Sequence, residues 1–420
     1  MGLDVFIKKV VYGGYGLGED RGRKFLVRYA APKELVEVEV LKEKKDYVEA
    51  TVKNVKIGSA WRRTAPCKYY THCGGCQLQH LDYEGQLKVK EEILLESLER
   101  IGKIKVKSID GVLGSKKEFG YRIKVQLKVR DGGLGFFAWG TNELVPIEEC
   151  LLVHPKINQL IPALKELVKS VKDLQELHVT YSPDEDEFLL KLITVSPMET
   201  EKLRRLKEHI LPKEVVCLGN YTSLRGKLIK RVAIGREFSF FRLGKFRLRV
   251  SNDSFFQINH TLYEDFPKLV VEGERAKRVL ELHSGVGFFS FWMAQCCEYL
   301  FGSDANQSAV KDAVYNAKLN QISNVSFAHE RAFETLKNHA GEAIDLLVLD
   351  PPREGLSEGE AKLIVQNKPK RIIYVSCNPT TLARDLKVLA SGGYKIETIR
   401  LVDNFPQTYH VEAIAKLKLL

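Results

Sequence analysis

The chain has 420 residues, enough for two or three domains, each with its own core. Sixty-five Lys and Arg against 54 Asp and Glu give a net charge of +11, which favours an anionic partner, nucleic acid first among them. No apolar run approaches the roughly 20 residues that cross a bilayer, and the opening MGLDVFIKKVVYGG lacks the apolar core of a signal peptide; a cytoplasmic protein with no membrane partner is expected.

Residues 3–55 carry short runs that alternate apolar and polar positions: Val5-Phe6-Ile7, Phe25-Leu26-Val27, Leu35 to Val40 and Tyr47 to Val52. Gly13, Gly14, Gly16, Gly18 and Ala31-Pro32 punctuate them. Five or so strands at this spacing predict a small closed β-barrel over residues 1–57. Lys8, Lys9, Arg21, Arg23, Lys24 and Arg28 cluster near its first loops as a phosphate-contacting face, the alternative being a solvated basic rim. A linker, residues 58–66, follows.

Next comes CKYYTHCGGCQLQH, with Cys67, Cys73 and Cys76 within ten residues and Gly74-Gly75 letting the backbone wrap closely. Cys150 arrives much later, after Pro146. Eight cysteines in an intracellular chain of this size argue for metal or catalysis over a disulfide frame. Three clustered thiols and one remote differ from the paired CxxC halves of structural zinc and suit a four-thiolate iron–sulfur cluster better. Both metals stay open on spacing alone. Gln86–Ile101 reads as an amphipathic helix with Leu87, Leu94, Leu98 and Ile101 on one face. Up to residue 250 the pattern is mixed, with strands at 125–129 and 188–192 and helices at 157–171 and 199–210, an α+β domain with no catalytic signature of its own.

From 251 onward strand and helix alternate. Arg278–Leu282 is a strand delivered into His283-Ser284-Gly285-Val286-Gly287-Phe288, where glycines let the backbone approach a ligand. The third glycine of a dinucleotide fingerprint is missing, so a nucleoside ligand without pyrophosphate fits better. Asp304 ends the next strand, at the spacing where a carboxylate takes ribose hydroxyls. Leu346–Leu349 leads into Asp350-Pro351-Pro352-Arg353, and Ile372–Val375 into Ser376-Cys377-Asn378-Pro379, with Thr380 or Thr381 available to cap the helix that follows. Cys377 thus sits just past the carboxyl end of a strand, where open α/β sheets hold ligands.

SFFQIN (254–259), HSGVGFF (283–289), LDPPREG (349–355), YVSCNPTTLARD (374–385) and DNFPQTYHVE (403–412), in this order, resemble the RNA uridine-5-methyltransferase family across nearly the whole chain. The four cysteines, together with a barrel that resembles a TRAM or OB-like domain, point to the family's iron–sulfur branch, which acts on 23S ribosomal RNA. The resemblance implies a multidomain chain: an RNA-binding barrel (1–57), a central α+β domain with the cluster (58–250), and a seven-stranded Rossmann-like α/β methyltransferase domain (251–420) onto which helix 86–101 packs. Carried over by position, Cys377 matches the nucleophile and Glu412 the proton-abstracting base. Gln257, His283, Gly285, Gly287, Asp304 and Asp350 match positions at the S-adenosylmethionine or the base, and Cys67, Cys73, Cys76 and Cys150 the ligands of a [4Fe–4S] cluster. His283 stands where the family usually has Phe or Tyr, Phe288 where many members have Asn, and Asp304 where Glu is commoner. A monomer is expected. The same chemistry on a transfer RNA loop uridine is the runner-up; a catalytically silent RNA-binding iron–sulfur protein is the alternative of a different class, and a cytosine-5 enzyme fits the residues around Cys377 less well.

Overall fold

The computed structural model describes residues 3–420; Met1 and Gly2, the first residues of the expected barrel, lie outside the described residues. Strands β1 (Leu3–Val11), β2 (Tyr15–Asp20), β3 (Arg23–Arg28), β4 (Leu35–Glu43) and β5 (Tyr47–Ile57) close into a barrel in the order β1-β2-β3-β5-β4. Val5, Ile7, Phe25, Val27, Val36, Val38, Val48 and Ala50 fill it. Gly16 and Gly18, which read as punctuation in the sequence, lie inside β2. A Cβ at Gly16 would come within 2.9 Å of Ile7 and Ala30, and one at Gly18 would collide with Val5, so these glycines are strand residues that the small barrel's interior has no room to enlarge. The buried Glu34 accepts from Ala31 N and Ser59 N and takes the Arg62 guanidinium, fastening the barrel to the linker.

Helix α1 (Tyr83–Arg100) starts three residues before the sequence reading, at the Asp82 cap, whose carboxylate accepts from Gly85 N at 2.7 Å. It precedes a short strand, β6 (Val112–Leu113). The central sheet has seven strands in the order β13-β12-β11-β10-β7-β8-β9: β7 (Lys124–Arg130), β8 (Gly133–Phe137), β9 (Leu144–Pro146), β10 (Leu174–Ser182), β11 (Glu187–Thr194), β12 (Val215–Leu224) and β13 (Lys227–Gly235). Helices α2 (Pro155–Ser170) and α3 (Thr200–His209) pack on it, and β14 (Phe238–Leu243) and β15 (Phe246–Ser251) form a hairpin beside it.

The last sheet holds β16 (Ala276–Leu282), β17 (Cys297–Asp304), β18 (Val325–His329), β19 (Leu346–Leu349), β20 (Arg371–Ser376), β21 (Tyr394–Val402) and β22 (Glu412–Leu419) in the order β18-β17-β16-β19-β20-β22-β21. The first five are parallel; β22 runs antiparallel between β20 and β21. It has eight strands where the resemblance implied seven, because β6 adds to the β21 edge through Leu401–Val112 and Val402–Leu113. Such a two-residue addition carries no periodicity to read. Helices α4 (Asp265–Val271), α5 (Ser290–Met293), α6 (Gln307–Leu319), α7 (Ala332–Asn338), α8 (Glu358–Asn367) and α9 (Pro379–Ser391) complete the chain.

Val89, Ile93, Leu94 and Leu98 of α1 share one core with Leu382, Leu386 and Leu389 of α9, each such burial contributing about 1.5–3 kcal/mol. Lys90, fully buried on α1, gives its ammonium to Asp403 at 2.5 Å and to Phe405 O at 2.9 Å, so the segment that leads into β22 is held by a buried charge pair. Burial lowers the Lys90 pKa, and the charge and hydrogen bond of Asp403 oppose that. Breaking either half of such a pair costs about 3–5 kcal/mol. Among the described residues no helix is long and apolar enough to cross a membrane.

Candidate active site

The carboxyl ends of β16, β17, β19 and β20 open on one cavity of about 510 Å³. Gln257, His283, Gly285, Asp304, Asp350, Cys377 and Glu412 all line it. Gly287 does not line it. Its left-handed φ of 93° and the Phe291 ring beneath it account for a glycine there. Phe288 also faces away, packed among Phe256, Tyr263, Phe266 and Phe289 in the core.

Local chemistry aims Cys377. Strand β20 is buried and ends at Ser376, and the Asn378 side chain, not Thr380 or Thr381, caps α9 by accepting from Thr380 N at 3.1 Å. Proline at the first helical position needs no amide partner, which leaves the cap at Asn378, two residues before the first threonine. Asn378 Nδ2 and Thr381 Oγ1 both donate to Arg353 O, at 3.0 and 3.1 Å, locking the Asp350–Arg353 loop against the thiol's turn. Burial, then Glu412 and Asp350, push the Cys377 thiol up to about 12, while a hydrogen bond and the charge of Arg353 pull it down. Arg353 is itself within 3.4 Å of His410 Nε2.

The carboxylates are as confined as the thiol. Asp350 is pushed up to about 7 by burial and by Asp304, and Glu412 to about 8 by burial and by Asp350. Asp304 is bonded to two amides, Gly285 N at 2.9 Å and Asn306 N at 2.7 Å, so it both shapes the glycine turn and keeps lone pairs free. Gly285 has φ 56° and open space where a Cβ would stand, the cradle a ligand's own atoms would fill. His283 also has a left-handed φ, 60°, and its Nε2 is buried without a partner. Burial lowers its pKa, leaving a neutral ring at this wall. These features fit an adenosyl-type cofactor with a polar, partly cationic body.

Sequence reading missed several wall residues. Asn404 donates to Gln257 Oε1 at 2.9 Å and reaches Glu412 Oε2 at 3.5 Å, tying both to one amide. Arg122, Lys124 and Phe255 line the same cavity. Lys124 is pushed down to about 8 by burial and by Lys191, and lies 6.0 Å from the Phe255 ring, which is 60% exposed. The alternation of Tyr121-Arg122-Ile123-Lys124 leading into β7 was the signal that could have found them. Glu281, buried near the end of β16 and bonded by Ser290 Oγ at 2.5 Å, was likewise missed and is pushed up to about 8 by burial.

Cys67, Cys73, Cys76 and Cys150 line a second cavity, of about 230 Å³. Burial raises Cys76, Cys73 and Cys150, and Cys67 and Cys150 lie close enough to raise Cys73 and Cys76 further. Yet among the described residues no group of three or more His, Cys, Asp or Glu is arranged to hold a metal ion. The expected cluster is therefore not borne out here as a ligand set; four thiols share a cavity without closing on one point. The next residues join this site to the other one: Gln77 N and Leu78 N both donate to Gln407 O at 3.0 Å. Gln407 is fully buried, left-handed at φ 70°, and also bonded to Gln86, Arg63 and Glu118.

The barrel's expected basic face is only partly neutralised. Lys8 meets Glu19, Lys9 meets Glu96 of α1 and Arg23 meets Glu43, Arg28 lies over Trp139, and Arg21, exposed and 4.0 Å from Asp20, and Lys24, in no ion pair among the described residues, stay open.

A parallel sheet of this order, with an antiparallel strand inserted before its edge and a glycine turn, acidic strand ends and a thiol around one cavity, defines a methyltransferase-like α/β fold. The family model described as tRNA (Uracil-5-)-methyltransferase matches residues 82–418, and the chain belongs to that family. It is an S-adenosylmethionine-dependent RNA methyltransferase. An uncharacterized RNA methyltransferase of Aquifex aeolicus (strain VF5) is 52% identical, with 99% of this chain and 98% of that one covered. Another, from Caldanaerobacter subterraneus subsp. tengcongensis, is 33% identical over 98% of this chain and 97% of its own. The crystal structure of Pyrococcus abyssi tRNA (uracil-54, C5)-methyltransferase in complex with S-adenosyl-L-homocysteine superposes with a TM-score of 0.78, at 26% identity, covering 99% of this chain and all of that one.

Proposed function

We propose that the chain methylates carbon 5 of a uridine in RNA, with ribosomal RNA as the substrate, through a covalent adduct between Cys377 and carbon 6. The observation that carries this reading is the convergence of one thiol, two carboxyls and Arg353 on a single cavity. Carbon 5 of uracil is a poor nucleophile. Cys377 gives its thiol proton to water, and addition of the resulting thiolate to carbon 6 places electron density on carbon 5. Bound S-adenosylmethionine supplies the electrophilic methyl group. Glu412 then takes the hydrogen left on carbon 5, and the sulfur departs as the double bond reforms. Arg353 stabilises the thiolate in both addition and departure. The uridine must be extruded to reach the cavity, which suits loop or single-stranded RNA. The three-plus-one cysteines beside a barrel favour ribosomal RNA; the name of the Pyrococcus abyssi neighbour favours the second reading, a transfer RNA loop uridine. Mass-spectrometric mapping of 5-methyluridine in both RNAs from a deletion strain is the test: the missing residue should lie in ribosomal RNA, and loss from transfer RNA alone would reverse the assignment.

We also infer that Cys67, Cys73, Cys76 and Cys150 hold a [4Fe–4S] cluster. A thiol set spread around a cavity of about 230 Å³ suits a cluster, whose irons are distributed, better than one ion that all ligands must touch. Its role is structural, since Gln77 and Leu78 transmit the cysteine loop's position to Gln407. Anaerobically purified protein should be brown, with about four irons per chain. Removing the iron should increase proteolysis of the 403–412 segment; stoichiometric zinc instead would end this reading.

Cofactor binding should depend on pH. Asp350 and Glu412, at about 7 and about 8, hold protons near neutrality in the free protein. A sulfonium in the same cavity favours their ionised forms, so binding should release protons, and affinity should rise as pH climbs from about 6 to about 8. S-adenosylhomocysteine, which lacks that charge, should show a flatter profile by calorimetry. Identical profiles for the two ligands would contradict this assignment of the buried protons.

A further inference from the structure

We infer that the β12–β13 hairpin is a second RNA contact, gripping the substrate's phosphodiester backbone beside the active-site cavity; this rests on the RNA substrate reading above. The two strands pair from Cys217–Gly235 out to Leu224–Lys227, with β13 at the edge of the central sheet. Residues 220–235 contain Arg225, Lys227, Lys230 and Arg231 and no carboxylate. Lys230 is paired with Glu237 and Asp253, and Arg231 bonds only the Thr222 hydroxyl. Arg225 and Lys227 enter no ion pair among the described residues, unlike Lys8, Lys9 and Arg23 of the barrel. Every residue from Ser223 to Leu228 is exposed, Leu224 at 57% and Leu228 at 42%. Apolar side chains between unpaired cations suit a polymer with apolar base faces and a charged backbone.

Position supports the same partner. Tyr221 OH and Lys230 Nζ both meet the Asp253 carboxylate, at 2.7 and 3.2 Å. The Asp253 carbonyl accepts from Asn306, which lines the active-site cavity. The root of the hairpin is thus bonded to the cavity wall, and its tip stands about 10–13 Å further out at strand rise. The hairpin is thereby placed to meet RNA that flanks an extruded nucleotide. Arg225-Gly226 is a two-residue turn with both residues left-handed, at φ 49° and 79°. Asn-Gly is the favoured pair for such a turn, and arginine is costlier there.

That geometry supplies a clean test. Arg225→Asn with Lys227→Gln removes two charges while installing the favoured turn pair, so the hairpin should fold at least as well, with an unchanged or raised unfolding midpoint. The probe is an RNA that the wild-type protein methylates. The double variant should bind it about 5- to 10-fold more weakly near 100 mM salt, and the slope of log affinity against log salt should shrink by about 1.4, roughly 0.7 for each phosphate no longer neutralised. The rate at saturating RNA and the affinity for S-adenosylmethionine should not change. Unchanged RNA affinity and slope would overturn the proposal, as would a fall in affinity with the slope intact. If the wild-type protein methylates no RNA offered, it is the function reading that fails, before the variant is compared.

Discussion

Cys377→Ala should abolish methylation, by at least about 10⁴-fold, while leaving RNA and cofactor affinity near wild type. The expected size follows from the chemistry: without sulfur addition at carbon 6, carbon 5 has no electron density to offer, and none of the described residues lining the cavity is a nucleophile placed to substitute. Neither Asp350 nor Glu412 does so, because a carboxylate is a far weaker nucleophile toward an sp² ring carbon than a thiolate. The expected safety follows from the structure. Cys377 is only partly buried, and the turn that carries it is held by Ser376, Asn378 and Thr381 rather than by the thiol. Deleting Sγ should therefore cost under about 1 kcal/mol of stability by urea unfolding. Retained turnover would exclude the covalent route; lost RNA binding would show that the thiol also supports the fold of its loop.

The strongly patterned parts of this molecule were legible in its sequence for physical reasons. The buried parallel strands at 278–282, 346–349 and 372–375 announce themselves as short apolar runs ended by Gly, Asp-Pro or Asn-Pro, and such ends are where side chains become free to face a ligand. What stayed hidden depends on partners far along the chain. Lys90 reads as one more charge on an amphipathic helix, and only Asp403, 313 residues away, explains its burial. Gln407 looks like a loop residue until Gln77, Gln86 and Arg63 surround it. Gly16 and Gly18 mimic turn residues because barrel crowding, which selects them, leaves no periodic trace. The barrel's paired cations read as part of a free basic face because sequence shows charges and not their pairings. The hairpin at 224–227 was passed over for the converse reason: its few cations gain weight only from having no carboxylates near them.

Glu412→Gln should arrest the reaction at a different point, with methylated RNA attached to the protein. Glu412 lies at the start of β22, buried, its carboxyl within 3.5 Å of Asn404 Nδ2 and raised to about 8. Glutamine is nearly isosteric, so packing is kept, and removing the Glu412 charge takes away one of the influences that push the Cys377 thiol up, which does not hinder addition. Addition at carbon 6 needs only the sulfur and Arg353, and methyl transfer needs only the electron density that addition creates. Loss of the carbon 5 hydrogen needs a base, and an amide is not one. The adduct should accumulate as a slowly migrating band on a denaturing gel in the presence of RNA and S-adenosylmethionine, and be absent with Cys377→Ala. Wild type should show it chiefly with 5-fluorouridine RNA, because fluorine cannot leave as a cation. Multiple-turnover rates should fall by about 10²–10⁴-fold, the usual range for a lost general base, while one equivalent of methyl group is still transferred. A pH profile separates this from a structural defect: raising pH through about 8 ionises Glu412 in the wild type and should quicken its elimination step, but should leave the stalled adduct of the Glu412→Gln enzyme unchanged. If Glu412→Gln turns over normally, Asp350, the next carboxyl facing Cys377, becomes the base, and Asp350→Asn should then trap the same adduct.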